Sequence, residues 1–271
     1  MFEYDRSEPT GYREENVYTT EHTTVRDVRY RGAGREIRAF LVEPRGGPPA
    51  GGVVYIHPAP GSRSTFLQEA GKMAHRSVAS LLVDAPWSAP QFGQRMSGMT
   101  AGEARDCFVA SVVDVRRGMD VLCSMYALKN LAVVGHSLGA LIAGVLSGVD
   151  DKVKDSILMA GVGSFADVAL VNQPSAERGW VEEYRRTMEP IDPIRFVSLP
   201  RPGAILFQFG DRDAYFPVSK FELFAAAAKE PKEVRWYDTN HFGVDRAGRP
   251  DRIAWLEARL GRERGPEGPA P

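Results

Sequence analysis

The sequence predicts an α/β protein, with a mainly parallel central sheet, helices on both faces and an antiparallel hairpin at the N-terminal edge. Three observations carry this. From residue 53 to 260, six short apolar runs of strand length alternate with segments of helical period, the order that builds parallel sheets buried on both faces. Before them, two runs mixing apolar and charged residues flank Arg31-Gly32-Ala33-Gly34, which reads as a hairpin. Midway, Gly135-His136-Ser137-Leu138-Gly139 joins the apolar run Leu131-Ala132-Val133-Val134 directly to a small-residue helical stretch. Glycines flanking a serine there allow strand and helix to cross closely.

Taken in order, residues 1–22 are polar and read as a loose arm. Residues 24–30 form a half-buried strand and 36–42 its return. The Pro/Gly stretch 44–52 leads to buried strands at 53–57, 80–84, 131–134, 156–159, 204–209 and 234–237. Helices fit 64–76, 103–126, 140–146, 217–229 and 250–260. On 103–126, Phe108, Val112, Val115, Met119 and Leu122 recur at spacings of three and four, one helical face. Residues 161–202 are too many for a simple connection. They contain a helix at 176–188 with Trp180, Tyr184 and Met188 on one face, and read as a small cap inserted into a single domain, 23–260. The Gly/Pro/charge-rich tail 261–271 is expected to be disordered.

Composition narrows the function. A net charge of −1 over 271 residues gives no electrostatic reason for nucleic acid or an anionic membrane as partner, and no run of eighteen apolar residues suggests a span. The start carries acids without an apolar core, unlike a signal peptide. Cys107 and Cys123 lie sixteen apart on one predicted helix, too far along its axis to bridge. They read as core thiols, with no disulfide or zinc framework. A reducing, cytoplasmic compartment is the expectation, with no metal and no cofactor; homodimerisation stays open.

The chemistry centres on Ser137. On a sharp strand–turn–helix its hydroxyl would stand above the sheet, but a serine is a weak nucleophile until a base takes its proton. Of five histidines, His241 lies four past the end of a strand, at the carboxyl edge where such sheets place their sites. His57 also follows a strand, but Pro58-Ala59-Pro60-Gly61 behind it suggests another role, and His136 is the variable residue of the turn. The orienting acid is expected in Gly210-Asp211-Arg212-Asp213. Asp213, further out, can reach the next loop, whereas Asp211 beside the glycine suits a turn. Asp238 reads as a solvated loop acid and Asp84 as the weaker alternative. Two backbone N–H groups should meet the negative charge that develops on a carbonyl oxygen. Leu138 at the helix start is one. In the loop after 53–57, Pro58 and Pro60 have no N–H, and Ala59 is preferred to Gly61 for the other. Trp87, Phe92, Trp180, Tyr184, Tyr215, Phe216 and Phe242, near strand ends or on the cap, suggest an apolar acyl or alcohol pocket.

His57-Pro58-Ala59-Pro60-Gly61, Gly135-His136-Ser137-Leu138-Gly139, Gly210-Asp211-Arg212-Asp213 and Asn240-His241-Phe242 occur in the order oxyanion loop, nucleophile, acid, histidine. Over about residues 24–260 the chain resembles an α/β-hydrolase, and the acid spaced G-x-x-D resembles dienelactone-hydrolase-like and prolyl-oligopeptidase-like members. It departs from the pattern at Pro58, where His-Gly is usual, and in having Ser rather than Cys as nucleophile, which argues against dienelactone hydrolysis itself. The resemblance implies a serine hydrolase acting on small or short-acyl carboxylic esters through an acyl-enzyme. A peptidase, amidase or thioesterase with the same triad is the alternative, and a noncatalytic ligand-binding protein the remote one.

Overall fold

The apolar runs become the inner strands of one nine-stranded sheet in a computed structural model that describes residues 1–128, 131–173, 175–199 and 203–260. The leading strands are β1 (Arg13–Thr19), β2 (Thr23–Arg31) and β3 (Glu36–Pro44), and the inner ones are β4 (Gly51–Ile56), β5 (Val78–Val83), β6 (Leu131–His136), β7 (Val153–Met159), β8 (Ile205–Gly210) and β9 (Lys232–Tyr237). The spatial order is β1-β2-β3-β5-β4-β6-β7-β8-β9. β1, β2, β3 and β5 pair antiparallel, and β5 through β9 run parallel.

Alternate side chains on the inner strands enter two separate apolar layers. Val54 and Ile56 join one, and Val53 and Tyr55 the other, as the two-residue period of a strand requires. The helices, in chain order, are α1 (Leu67–Ala74), α2 (Phe92–Ser97), α3 (Ala101–Tyr126), α4 (Leu138–Val149), α5 (Phe165–Asn172), α6 (Arg178–Met188), α7 (Pro193–Val197), α8 (Val218–Ala227), α9 (Gly243–Ala247) and α10 (Arg249–Leu260). α3, α4 and α8 fill the first layer and α1 and α10 the second. α3 starts at a capping box in which Thr100 and Glu103 bond each other's backbone N–H. The stripe expected on it, from Phe108 to Leu122, is buried. Cys107 and Cys123 on the same helix are unpaired and half-buried.

Three sequence expectations need correction. Residues 1–22 are not a loose arm: Arg13–Thr19 is a strand pairing antiparallel with β2. Every side chain of β1 is exposed, so it lacks the apolar alternation that marks a strand, and the backbone ladder and cross-strand pairs such as Arg26–Glu14 hold it. Ahead of it Phe2 is buried, Arg116 donates to its carbonyl at 2.6 Å, and Arg117 donates to the carbonyls of Asp5, Glu8 and Pro9. Second, β9 is the sheet's edge, and Val234 and Trp236 stay largely exposed. Third, 161–202 is more than a cap. α5 and α6 wall a cavity over the sheet, whereas α7 turns back, its Val197 buried in the layer that α4 fills. The tail 261–271, expected to be disordered, lies outside the described residues.

β4 is the point where the chain order reverses, with β5 on one side and β6 on the other. The loops after β4 and β6 therefore leave the sheet in opposite directions and open a crevice at its carboxyl edge.

Candidate active site

Local packing dictates the turn after β6. A Cβ on Gly135 would collide with the carbonyl of Gly139, and one on Gly139 with that of Ile56, so the strand–helix crossing excludes side chains at both positions. Between them Ser137 is forced to φ +53°, ψ −119°, a conformation that costs a non-glycine residue about 1–3 kcal/mol. Its N–H donates to Met159 O at 2.8 Å, which pins the turn to β7.

The loops after β8 and β9 continue the sheet's pairing beyond the strands. Asp211 N–H donates to Tyr237 O and Arg212 N–H to Thr239 O, both at 3.0 Å. This lateral tie brings Asp213 to His241. The His241 Nδ1–H donates to Asp213 Oδ2 at 2.6 Å, and its Nε2 stands 2.8 Å from Ser137 Oγ. A carboxylate only accepts, so the ring proton sits on Nδ1 and Nε2 is left to receive the serine proton. Asp213 is itself held by the N–H groups of Tyr215 (2.8 Å) and Phe216 (3.0 Å) on its other oxygen. Side-chain exposure is 1% for Asp213 and 4% for His241.

The other acids are engaged elsewhere. Asp211 accepts from Thr239 N–H at 3.2 Å, which staples the two loops. Asp238 is exposed and pairs with Arg212. Asp84 accepts from Arg63 N–H and faces its guanidinium.

Two further histidines hold the frame. His57 donates from Nδ1 to Pro58 O (2.8 Å) and accepts at Nε2 from Ala85 N–H (3.1 Å), while Trp87 donates to the His57 carbonyl (3.0 Å). Burial lowers the His57 pKa, which keeps it neutral, as those bonds need. His136 escaped the sequence reading as more than the variable residue of its turn. Burial pushes its pKa down to about 4, and the neutral ring donates from Nε2 to the His241 carbonyl at 2.9 Å. A histidine directly before the serine was the available signal, but its partner 105 residues on was not visible.

Ala59 and Leu138 line the cavity beside Ser137. Neither backbone N–H has a hydrogen-bond partner among the described residues. The cavity measures about 580 Å³. Trp87, Phe92, Trp180, Tyr184, Tyr215, Phe216 and Phe242 all line it, with Tyr215 and Phe242 largely exposed at its rim. Sequence reasoning missed Met96 on α2, Phe108 on α3, and Phe165 and Val168 on α5, which also face it. Phe92 and Met96 at spacing four were a signal for α2, but Pro90 and Gly93 masked it. Among the described residues no cluster of His, Cys, Asp or Glu could hold a metal ion, and no helix is long and apolar enough to cross a membrane.

Sheet order, elbow and loop placement define the α/β-hydrolase fold, and solved structures agree. The chain is similar to an acetyl xylan esterase from Paenibacillus sp. R4, with TM-score 0.75 at 20% identity over 93% of this chain and 89% of that one. It is equally similar to acetyl xylan esterase 1 from Thermoanaerobacterium sp. JW/SL YS485, with TM-score 0.75 at 16% identity over 94% and 89%. The acylaminoacyl peptidase of Pyrococcus horikoshii gives TM-score 0.68 at 15% identity over 91% of this chain but 43% of that one. No protein-family model and no curated protein sequence matches the chain.

Proposed function

We propose that this protein is a carboxylesterase-type serine hydrolase that cleaves esters of small molecules with short acyl groups through an acyl-enzyme. Ser137 Oγ attacks the ester carbonyl as His241 Nε2 takes its proton. Asp213 keeps the ring in the required tautomer and stabilises the imidazolium. The carbonyl oxygen, now negative, sits between the N–H groups of Ala59 and Leu138. His241 returns the proton to the leaving alcohol, then activates the water that releases the acid. The observation that carries this reading is the continuous chain Asp213–His241–Ser137 at 2.6 and 2.8 Å, opening on a largely apolar cavity. The acetyl xylan esterases of like fold favour esters over amides as its substrates.

The test is turnover of p-nitrophenyl acyl esters, beside a thioester and an aminoacyl amide, with fluorophosphonate labelling. Wild type is expected to be labelled and to turn over short acyl esters fastest. Ser137→Ala, which removes only a hydroxyl, should be folded, unlabelled and slower by about 10⁵-fold or more. Unchanged turnover in a clean Ser137→Ala preparation would sink the mechanism.

A further inference from the structure

Acyl transfer turns His241 from a neutral base into a cation. As Ser137 Oγ bonds the carbonyl carbon, the carbonyl π pair moves to oxygen and the serine proton passes to Nε2, which leaves an oxyanion and an imidazolium. Asp213 meets that imidazolium at Nδ1. No other charged side chain among the described residues bonds the ring, and no Asp, Glu, Lys or Arg among them lines the cavity. His241 is 3% exposed, so little water reaches the new charge.

Aromatic rings surround it instead. Tyr215 lies nearest, with ring centroids 4.8 Å apart and planes tilted by 48°. Phe242 follows at 5.2 Å and Phe216 at 5.9 Å. The His136 ring, at 5.7 Å, is kept neutral by burial and adds no repelling charge. Tyr215 and Phe216 also give the two N–H groups that hold Asp213, so acid and rings arrive on one loop. Tyr215 and Phe242 brace each other edge to face at 5.8 Å. A ring face carries negative charge and attracts a cation within about 6 Å of its centroid. The neutral imidazole gains only packing from these rings, and the electrostatic attraction begins when the proton arrives. An interaction that strengthens only as the transition state forms accelerates the step.

We infer that Tyr215 speeds proton transfer by holding its ring face against His241, where it stabilises the imidazolium. It acts through His241, and the inference rests on the serine-hydrolase reading. Tyr215 suits a test because it is 47% exposed at the rim of the cavity. A new side chain there opens no hole in the core, and every variant keeps the backbone N–H that bonds Asp213.

The experiment varies the charge on the ring face while nearly preserving its shape. Tyr215→Phe is the reference, compared with 4-fluoro-, 3,5-difluoro- and 3,4,5-trifluorophenylalanine at position 215 and with Tyr215→Leu. Each added fluorine weakens the negative face, and Leu removes it. The readouts are kcat and KM for p-nitrophenyl acetate and the rate at which a fluorophosphonate labels Ser137, a reagent of different shape that draws on the same proton transfer. Relative to Tyr215→Phe, kcat should fall stepwise with fluorination, reaching about fivefold in the trifluoro variant and in Tyr215→Leu. KM should stay nearly constant, and the labelling rate should fall in parallel with kcat. A change confined to KM would make Tyr215 a plain substrate wall and overturn the inference. So would rates that ignore fluorination, or rates that rise with it, since a rise means that the ring meets the cation edge-on. In those cases labelling of Ser137 still upholds the hydrolase reading, whereas a wild type that is not labelled at all overturns both.

Discussion

Ser137 and its two partners show how little freedom the site leaves to single residues. The serine is held at φ +53° because glycines on either side let β6 and α4 cross at backbone contact. The two carboxylates of the acid loop have separate tasks by geometry. Asp213 faces His241, while Asp211 holds Thr239 N–H and thereby the loop that carries the histidine. Asp213→Asn is therefore expected to lower kcat by about 10³–10⁴-fold, because an amide turned to Nδ1 favours the tautomer with its proton on Nε2, pointed at the serine. Asp211→Asn should keep kcat within a few-fold and lower Tm slightly. Kinetics and thermal melts on both variants settle it, and the reverse ranking would reassign the acid. The placement of Asp213 was readable in the sequence, since it stands further out on the loop, whereas Asp211, expected to shape a local turn, instead bonds a loop 28 residues on. The bond from His136 to the His241 carbonyl was not readable, because it joins residues 105 apart.

Among elements, α5 and α6 wall the cavity that opens beside Ser137. Spacing four placed Trp180 and Tyr184 on one face of α6, and their rings stack and line the cavity together. Trp180→Ala removes wall area and no member of the proton relay. It is expected to shift the acyl-length profile toward longer chains while leaving turnover of the shortest ester within about threefold. A ladder of p-nitrophenyl esters from two to twelve carbons measures this, and an unaltered profile would remove α6 from the binding wall. The period of α6 was visible because its buried face is apolar. β1 was invisible because its side chains are solvated throughout and only its backbone is engaged. α2 and α5 were missed because they have only six and eight residues, too short for a period to stand out.

Across the whole molecule, two buried groups make stability depend on pH in opposite directions. Burial lowers the His136 pKa from 6.5 to about 4, so below pH 6.5 the unfolded chain takes the proton first. The stability this neutral ring contributes is complete above pH 6.5 and is lost as pH falls toward 4. Burial raises the Asp192 carboxyl from 3.8 to about 6, so the folded chain takes that proton first. Its contribution is complete below pH 3.8 and is lost as pH rises through 6. The two largely offset each other between pH 4 and 6. Asp192→Asn, which can still accept the Phe165 N–H, should become progressively more stable than wild type from pH 4 to 6 and hold a constant lead above that. The lead should reach at most about 3 kcal/mol, several degrees of Tm. In His136→Phe the deficit against wild type should shrink as pH falls from 6.5 to 4. Thermal melts across pH 4 to 7 decide both, and a Tm difference that does not vary with pH refutes the assignment concerned.

The sequence by itself determined the α/β class, the order of the inner strands along the chain, and the three residues that meet at the site. Each is written locally: apolar runs of strand length, helical period, glycines around Ser137, and Asp213 and His241 just beyond strand ends. Tertiary structure decided the rest, because it depends on groups far apart in the chain. Arg252, fully buried on α10, binds Glu69 of α1, Gln208 of β8 and Asp245 of α9, which follows the His241 loop. None of these partners is local in the chain, and only the closed fold gives the buried charge its partners. Likewise α7 returns to α4 and β9 becomes an edge. Those pairings follow from which surfaces the packed layers bring together, and no local pattern encodes that.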